Sequence, residues 1–174
     1  DPYPGDGGEE IRSKMLRTTH QLSLSDRFEL VADWNDLGPV TPVDAIHVDG
    51  LHTEKAVTSD LQEAARRISD TGIVIVDDYV HRWFPGIASA MYRAVHEGTF
   101  ALAATTGNKA YLVRPGNVDA FQDRLRSALV SSPYRAFAHH REGDDSKRYV
   151  QPPDVAGSPV LLIEAQASGE HGRA

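Results

Sequence analysis

The sequence predicts an α/β protein with a doubly wound, mostly parallel sheet that ends in an antiparallel hairpin. Two short apolar runs, 45–48 and 73–76, are separated by an amphipathic helix. Strands joined through helices form right-handed parallel crossovers, with the helices on the faces of the sheet. A Thr-Gly-Asn turn at 106–108 then joins two further apolar runs as a hairpin. Together these features indicate a Rossmann-like fold.

The first predicted elements are a helix from Glu9 to about Leu22 and a strand at 28–32. Apolar residues recur at helical spacing in the helix, and its acidic start suits the positive end of a helix. A loop containing Asp33 and Trp34 follows the strand.

The central elements are a strand, a helix and a second strand. The strand at 45–48 is followed by a helix with one apolar face, for which Thr53 is the predicted N-cap. The sequence at 70–72, Asp-Thr-Gly, is predicted to end this helix. The unbroken β-branched run 73–76 is typical of a central parallel strand that is covered on both faces.

The second half of the chain is predicted to hold two helices and three strands. The helices lie at 87–97 and after 117, and the strands at 100–105, 109–114 and 160–164. Gly98 suits a left-handed cap at the end of the first helix, and Asn117 suits an N-cap of the second. The remainder from about residue 131 is polar and is predicted to be irregular.

Composition narrows the classes of function. The chain of 174 residues has a formal net charge of −7 and no cysteine, so disulfides and thiolate metal sites are excluded. An acidic balance argues against non-specific nucleic-acid binding, which needs a basic face. No apolar run is long enough to span a bilayer. We expect a cytoplasmic enzyme that acts on small molecules, without a membrane or nucleic-acid partner, and leave a homo-oligomer open.

Acidic side chains gather at the ends of the two predicted parallel strands. Asp49 follows the first strand, and Asp77 and Asp78 follow the second. Strands about 5 Å apart bring such carboxylates close together, and two like charges at ~4 Å repel by roughly 4 kcal/mol at an effective dielectric of about 20. One carboxyl is then protonated, or a basic group or a cation lies among them. Since no Lys or Arg directly follows either strand, a hard divalent cation, Mg²⁺ first, is the expected resolution.

Simpler explanations are open for each of these residues. The carboxylates could point apart, with one at a helix cap and another in solvent. His52, three residues after Asp49, could take a proton from a hydroxyl group beside the metal, or it could be a surface histidine at a helix start. The aromatic loop at 79–84 could form the wall of a substrate pocket or fold against the domain.

The block AIHVDGLHTEKAVTSDLQEAARRISDTGIVIVDDY, residues 45–79, resembles the later half of class I S-adenosylmethionine-dependent methyltransferases. It is most similar to metal-assisted O-methyltransferases of small molecules, the macrocin and macrolide-sugar type, and more distantly to the catechol type. The shared pattern is Asp-Gly-x-His at 49–52, Asp-Leu at 60–61, and a glycine, an apolar run and two aspartates over 72–78. The resemblance extends over about residues 1–115.

This resemblance implies methyl transfer from S-adenosylmethionine to a hydroxyl group of a small molecule. By the resemblance, the Mg²⁺ ligands are Asp49, Asp77 and Asp78, and His52 is the general base. The cofactor contacts that it implies are Asp1 at the ribose and Asp33 and Trp34 at the adenine ring.

The glycine-rich loop that binds the methionine part of the cofactor in this family has no counterpart here. Because the chain begins Asp-Pro-Tyr rather than with Met, we expect a fragment truncated at its N-terminus, with the first two strands and first helix upstream. Such a fragment is expected to expose an open sheet edge and to bind cofactor weakly. We expect residues 1–115 to be the later part of a methyltransferase-like Rossmann domain, and 116–174 a C-terminal helix and irregular extension.

Two other functions stay open. The chain could be a non-catalytic relative that keeps the sheet as a scaffold. The run 73–78 also resembles the acidic-pair strand that opens phospho-receiver signalling domains. In those domains, however, the phospho-acceptor Asp ends a later strand, and the predicted strands at 100–105 and 109–114 end in no Asp.

Overall fold

The structure, a computed structural model, describes residues 7–21, 34–138, 154–156 and 158–165. The chain divides into two compact units, residues 1–40 and 41–174. The division predicted at residue 115 stays a prediction. The strand predicted at 28–32 lies outside the described residues.

The first unit contains helix α1, Gly7–Gln21, and a 3₁₀ helix, Trp34–Leu37. Helix α1 confirms the helix predicted from Glu9 to about Leu22. His20 lies in its last turn, where a basic side chain meets the negative end of the helix.

The second unit is built on strands of one main sheet. These are β1 Val43–Val48, β2 Ile68–Val76, β3 Ala101–Thr105, β4 Ala110–Val113, β5 Tyr134–Ala138 and, after two short strands β6 Asp154–Val155 and β7 Ser158–Pro159, β8 Leu161–Ala165. Within the described residues the main sheet has six strands in the order β1-β2-β4-β3-β8-β5, while β6 and β7 pair separately. Four of the six strands run in one direction, and β4 and β5 run against them. The mixed α/β fold and the antiparallel hairpin of β3 and β4 are therefore confirmed.

Three longer helices accompany the sheet: α2 Glu54–Arg67, α3 Pro85–His96 and α4 Val118–Leu129. The Thr53 hydroxyl accepts a hydrogen bond from the backbone N–H of Ala56 at 3.2 Å, so the predicted cap of α2 is confirmed. Gly98 follows α3 with φ of 74°, as predicted for a left-handed cap. Asn117 does precede α4, but its side chain makes no cap hydrogen bond and instead donates to the carbonyl of Asp70. Every helix in the described segments is too short or too polar to cross a bilayer.

The end predicted for α2 at residues 70–72 is wrong. The helix ends at Arg67, and Ile68 is already extended and paired with Val43 of β1. The strand pairing shifts register and resumes at Ile73, so the turn residues lie within β2. Gly72 permits this course, because a Cβ there would lie 3.0 Å from the backbone oxygen of Asp44.

The prediction that the 73–76 run is covered on both faces is only half confirmed. Val74 and Val76 are fully buried, whereas Ile73 and Ile75 are half-buried. Helix α4 packs against β3 and β4 through side chains such as Phe121, so the corresponding side of β2 stays partly open in this unit.

The region predicted to be irregular after residue 131 contains a strand, β5, at Tyr134–Ala138. It pairs antiparallel with β8, which confirms the strand predicted at 160–164. Leu161 and Ile163 of β8 are buried. Pairing with this buried partner, rather than a local sequence pattern, accounts for β5.

Candidate functional site

The candidate site lies where β1 and β2 end side by side. Val48 is paired with Val76, and the backbone N–H of Asp77 donates to the carbonyl of Val48 at 3.0 Å. Because these strands are parallel, the residues that follow them meet at the same edge of the sheet. Asp49 and Asp77 are brought together in this way, as the sequence predicted.

The acidic residues fall into two overlapping sets of potential metal ligands. His47, Asp49 and Asp77 form one set, and Asp49, His52 and Asp78 form the other. Within each set the ligand atoms all lie within 4.8 Å of one another. The three predicted carboxylates are thus divided between two sets that share Asp49, and a histidine completes each.

His47 was missed in the sequence analysis. His47 lies on β1, two residues before Asp49, which follows the strand. Alternate residues along a strand project to the same face. That periodicity is the signal by which it could have been found. Its side chain is 47% exposed, and its Nε2 lies 3.2 Å from Oδ2 of Asp77.

Asp49 and His52 face each other across the turn that leads into α2. The His52 Nε2 atom is 3.6 Å from Oδ1 of Asp49, which is ion-pair distance for a protonated imidazole. The turn is closed by a hydrogen bond of 2.7 Å from the backbone N–H of Thr53 to the carbonyl of Leu51. Asp49 is half exposed and His52 about a quarter exposed, so both remain accessible from solvent.

Asp77 is more enclosed than Asp49, and a basic group does lie beside it. Its side chain is 13% exposed and forms an ion pair with Lys109, which directly precedes β4. Asn108 also donates to Asp77, at 3.1 Å. This basic group comes from the hairpin turn before β4, whereas no Lys or Arg directly follows β1 or β2 in the sequence. Asp77 therefore does not need a metal ion to balance its charge.

The pKa of Asp77 reflects this environment. Burial raises its pKa, but hydrogen bonds from Lys109 and from the backbone of Asp78 lower it, as do the nearby charges of Lys109 and His47. The net result is a pKa below the ordinary value. The hydrogen bond and charge of Asp77 in turn raise the pKa of Lys109. Both groups are therefore charged at neutral pH.

Asp78 has an unusual backbone conformation. Its φ of 52° lies in the left-handed region, which is sparsely populated by residues other than glycine. Its carbonyl accepts from the backbone N–H of His81 at 2.9 Å, which closes the turn after β2. Such strain is found often at functional sites.

The sequence left open whether the aromatic loop at 79–84 forms the wall of a pocket or folds against the domain, and its residues differ in this respect. Tyr79 is buried against the domain, and burial raises its pKa. Phe84 instead contacts His52, with ring centroids 4.6 Å apart, and stacks on His81 at 4.8 Å. Trp83 is 69% exposed, and the guanidinium of Arg82 lies over its ring at 4.7 Å. The loop therefore places aromatic surface next to His52.

The predicted cofactor contacts are largely outside the described part of the chain. Asp1 and Asp33 fall there. Trp34 begins the 3₁₀ helix of the first unit and is half-buried. Their assignment to the cofactor stays a prediction.

The donor chemistry of the two sets fits a divalent cation. Carboxylate oxygens are the ligands that Mg²⁺ and Mn²⁺ prefer, and imidazole nitrogen suits transition metals. The donor atoms converge at the carboxyl ends of parallel strands, where ligands bind in open α/β sheets.

Comparison with known proteins agrees with the mixed α/β fold. Residues 1–79 match the family described as methyltransferase domain. The similarity to methyltransferase domains extends over 79 of the 174 residues. It includes Asp49, His52, Asp77 and Asp78. No curated protein and no solved structure matches the chain.

Proposed function

We propose that this protein transfers a methyl group from S-adenosylmethionine to a hydroxyl group of a small molecule, assisted by a divalent metal. The observation that carries the proposal is the convergence of Asp49, His52 and Asp78 at adjacent strand ends. These residues lie within the segment that matches a methyltransferase domain. The resemblance of residues 45–79 to metal-assisted O-methyltransferases supplies the reaction type.

The residues that would hold the cation are Asp49, Asp77 and Asp78. When bound, a divalent cation supplies Lewis-acid chemistry, since it lowers the pKa of a hydroxyl group beside it. Asp49 is half exposed and belongs to both sets of potential ligands. It is therefore the carboxylate on which cation binding should depend most.

His52 is proposed as the general base. The carbon–sulfur bond to the transferred methyl breaks, a carbon–oxygen bond to the acceptor forms, and the acceptor's hydroxyl proton passes to the His52 imidazole. S-Adenosylhomocysteine is the other product. Asp49, 3.6 Å from Nε2, would stabilise the resulting imidazolium, and contact with Phe84 would restrict the ring's orientation.

The test is transfer of labelled methyl groups to a panel of small hydroxyl compounds. His52→Gln is expected to lower kcat by about 10²–10⁴, the usual contribution of a general base, while S-adenosylmethionine affinity is retained. His96→Gln, at the exposed end of α3, is the matched control and should keep normal turnover. If His52→Gln turns over normally, His52 is not the base.

One observation favours a second candidate, a non-catalytic scaffold. Because Lys109 already pairs with Asp77, the charge of this carboxylate is balanced without a cation. Isothermal titration with S-adenosylmethionine separates the two functions. Absence of cofactor binding to the intact protein would favour the scaffold.

A further inference from the structure

The Asp77 carboxylate is fully engaged by protein donors. Its Oδ1 accepts from the backbone N–H of Asp78 at 2.9 Å and from Asn108 Nδ2 at 3.1 Å. Its Oδ2 contacts His47 Nε2 at 3.2 Å and forms the ion pair with Lys109. An ionised carboxylate offers about four lone-pair positions, so these partners occupy all of them.

A cation that takes Asp77 as a ligand must therefore replace one of these partners. The N–H of Asp78 belongs to the backbone and cannot turn away. Asn108 is held in its turn because its own carbonyl accepts a hydrogen bond from the backbone N–H of Tyr79 at 3.2 Å. Lys109 differs because its ammonium ends a flexible four-carbon side chain that is one-third exposed. The His47 side chain is also exposed, but it belongs to the same set of potential ligands as Asp77 and can stay beside a cation. Lys109 is instead a positive charge that a cation would repel, and its side chain can leave without moving the backbone.

The hairpin turn holds the backbone of Lys109 in place. Its N–H donates to the hydroxyl of Thr106 at 3.0 Å, and its carbonyl accepts from the Thr106 N–H at 2.8 Å. Ala110, the next residue, is paired with Val76 at the end of β2. The ammonium is thus kept within reach of Asp77 whether or not the ion pair is formed.

We propose that Lys109 occupies the carboxylate position of Asp77 that a divalent cation takes, so that cation binding is an exchange that releases the Lys109 ammonium. This inference rests on the cation site of the proposed function. It makes Lys109 a positioning residue that keeps the Asp77 carboxylate oriented before the cation arrives. It also makes the cation affinity lower than the carboxylates alone would give, because the ion pair must first be broken.

The experiment is isothermal titration of the chain with MnCl₂. Lys109→Met removes the competing charge and is expected to tighten the dissociation constant by roughly two- to fivefold, the scale expected of a partly exposed ion pair. Lys109→Arg keeps the charge and should bind no more tightly than wild type. Lys55→Met, at an exposed position of α2, is the matched control for loss of one positive charge and should leave the affinity unchanged.

A second measurement uses the unmodified sequence and so does not depend on the variants folding. In a sample with isotope-labelled lysine, NMR measures how fast the ammonium protons of Lys109 exchange with water. The ion pair with Asp77 should slow this exchange. Saturation with Mg²⁺ should remove that protection.

Failure of the exchange can be told apart from failure of the proposed function. If Asp49→Asn abolishes cation binding but Lys109→Met binds as wild type or more weakly, only the exchange is overturned. A Lys109 signal that persists unchanged at saturating Mg²⁺ overturns it as well. If neither wild type nor Lys109→Met binds a cation, the metal role and the exchange are both overturned.

Discussion

Gly86 allows the start of α3 to contact the start of α2. A Cβ at this position would lie 2.7 Å from the backbone nitrogen of Glu54, whereas ordinary van der Waals contact begins at 3.4 Å, so about 0.7 Å must be opened. The nearest obstacle is backbone, which cannot rotate away as a long side chain can. Gly86→Ala therefore tests the contact on which the placement of α3 depends.

The size of the effect follows from two opposed terms. Overpacking of this kind typically costs about 1–3 kcal/mol, and replacing glycine by alanine at a compatible φ returns about 0.4–1 kcal/mol through the unfolded state. Gly86→Ala should therefore lower the free energy of unfolding by about 1–2 kcal/mol. Phe84, two residues earlier, should also shift away from His52, and misplacement of this kind can lower turnover by up to about a hundredfold.

Urea unfolding followed by circular dichroism measures the stability change. Gly116→Ala is the matched control, because no atom lies within 4 Å of a Cβ added there. The control should fall within about 0.5 kcal/mol of wild type. A Gly86→Ala protein as stable as wild type, or a control that loses as much, would refute this account of the α2–α3 contact.

Three further predictions concern charge, backbone strain and the core. Because the Asp77 pKa is depressed, its stabilising contribution is present above about pH 4 and is lost as the pH falls through the folded-state value. Asp77→Asn should thus be less stable than wild type at neutral pH, and urea unfolding at stepped pH should show the gap closing in acid; a pH-independent gap would contradict this. Asp78→Ala should unfold about 1 kcal/mol more easily than Asp78→Asn, which tolerates a left-handed backbone, and equal urea midpoints would count against backbone strain. Leu112→Ala, at a fully buried position, should cost about 2–5 kcal/mol, and a loss under about 1 kcal/mol in the same assay would argue against a tightly packed core there.

The features predicted correctly from the sequence depend on local chemistry. Thr53 precedes an apolar helical face, so its cap could be recognised from neighbouring residues. Gly98 is likewise recognisable as a helix end. The strands before Asp49 and Asp77 are short apolar runs separated by one helix, which is sufficient to predict parallel pairing and a shared edge.

The features that were missed depend on contacts between distant parts of the chain. Lys109 reaches Asp77 only because β4 pairs antiparallel beside β2, and the sequence alone did not predict that neighbour. Strand β5 similarly forms through its pairing with β8. A polar stretch separates the two strands in the sequence, so the pairing could not be recognised from neighbouring residues. The end of α2 was misjudged because Ile68 satisfies both a helical apolar pattern and a strand pairing, and the pairing with Val43 prevails.

We propose that the acidic strand ends hold a cation required for methyl transfer. The most direct test is turnover of the intact protein with labelled S-adenosylmethionine, measured before chelation, in EDTA and after Mg²⁺ is restored. The proposed function predicts that activity disappears in EDTA and returns with Mg²⁺, and that Asp49→Asn is not rescued by Mg²⁺. Turnover that continues unchanged in the chelator would contradict it.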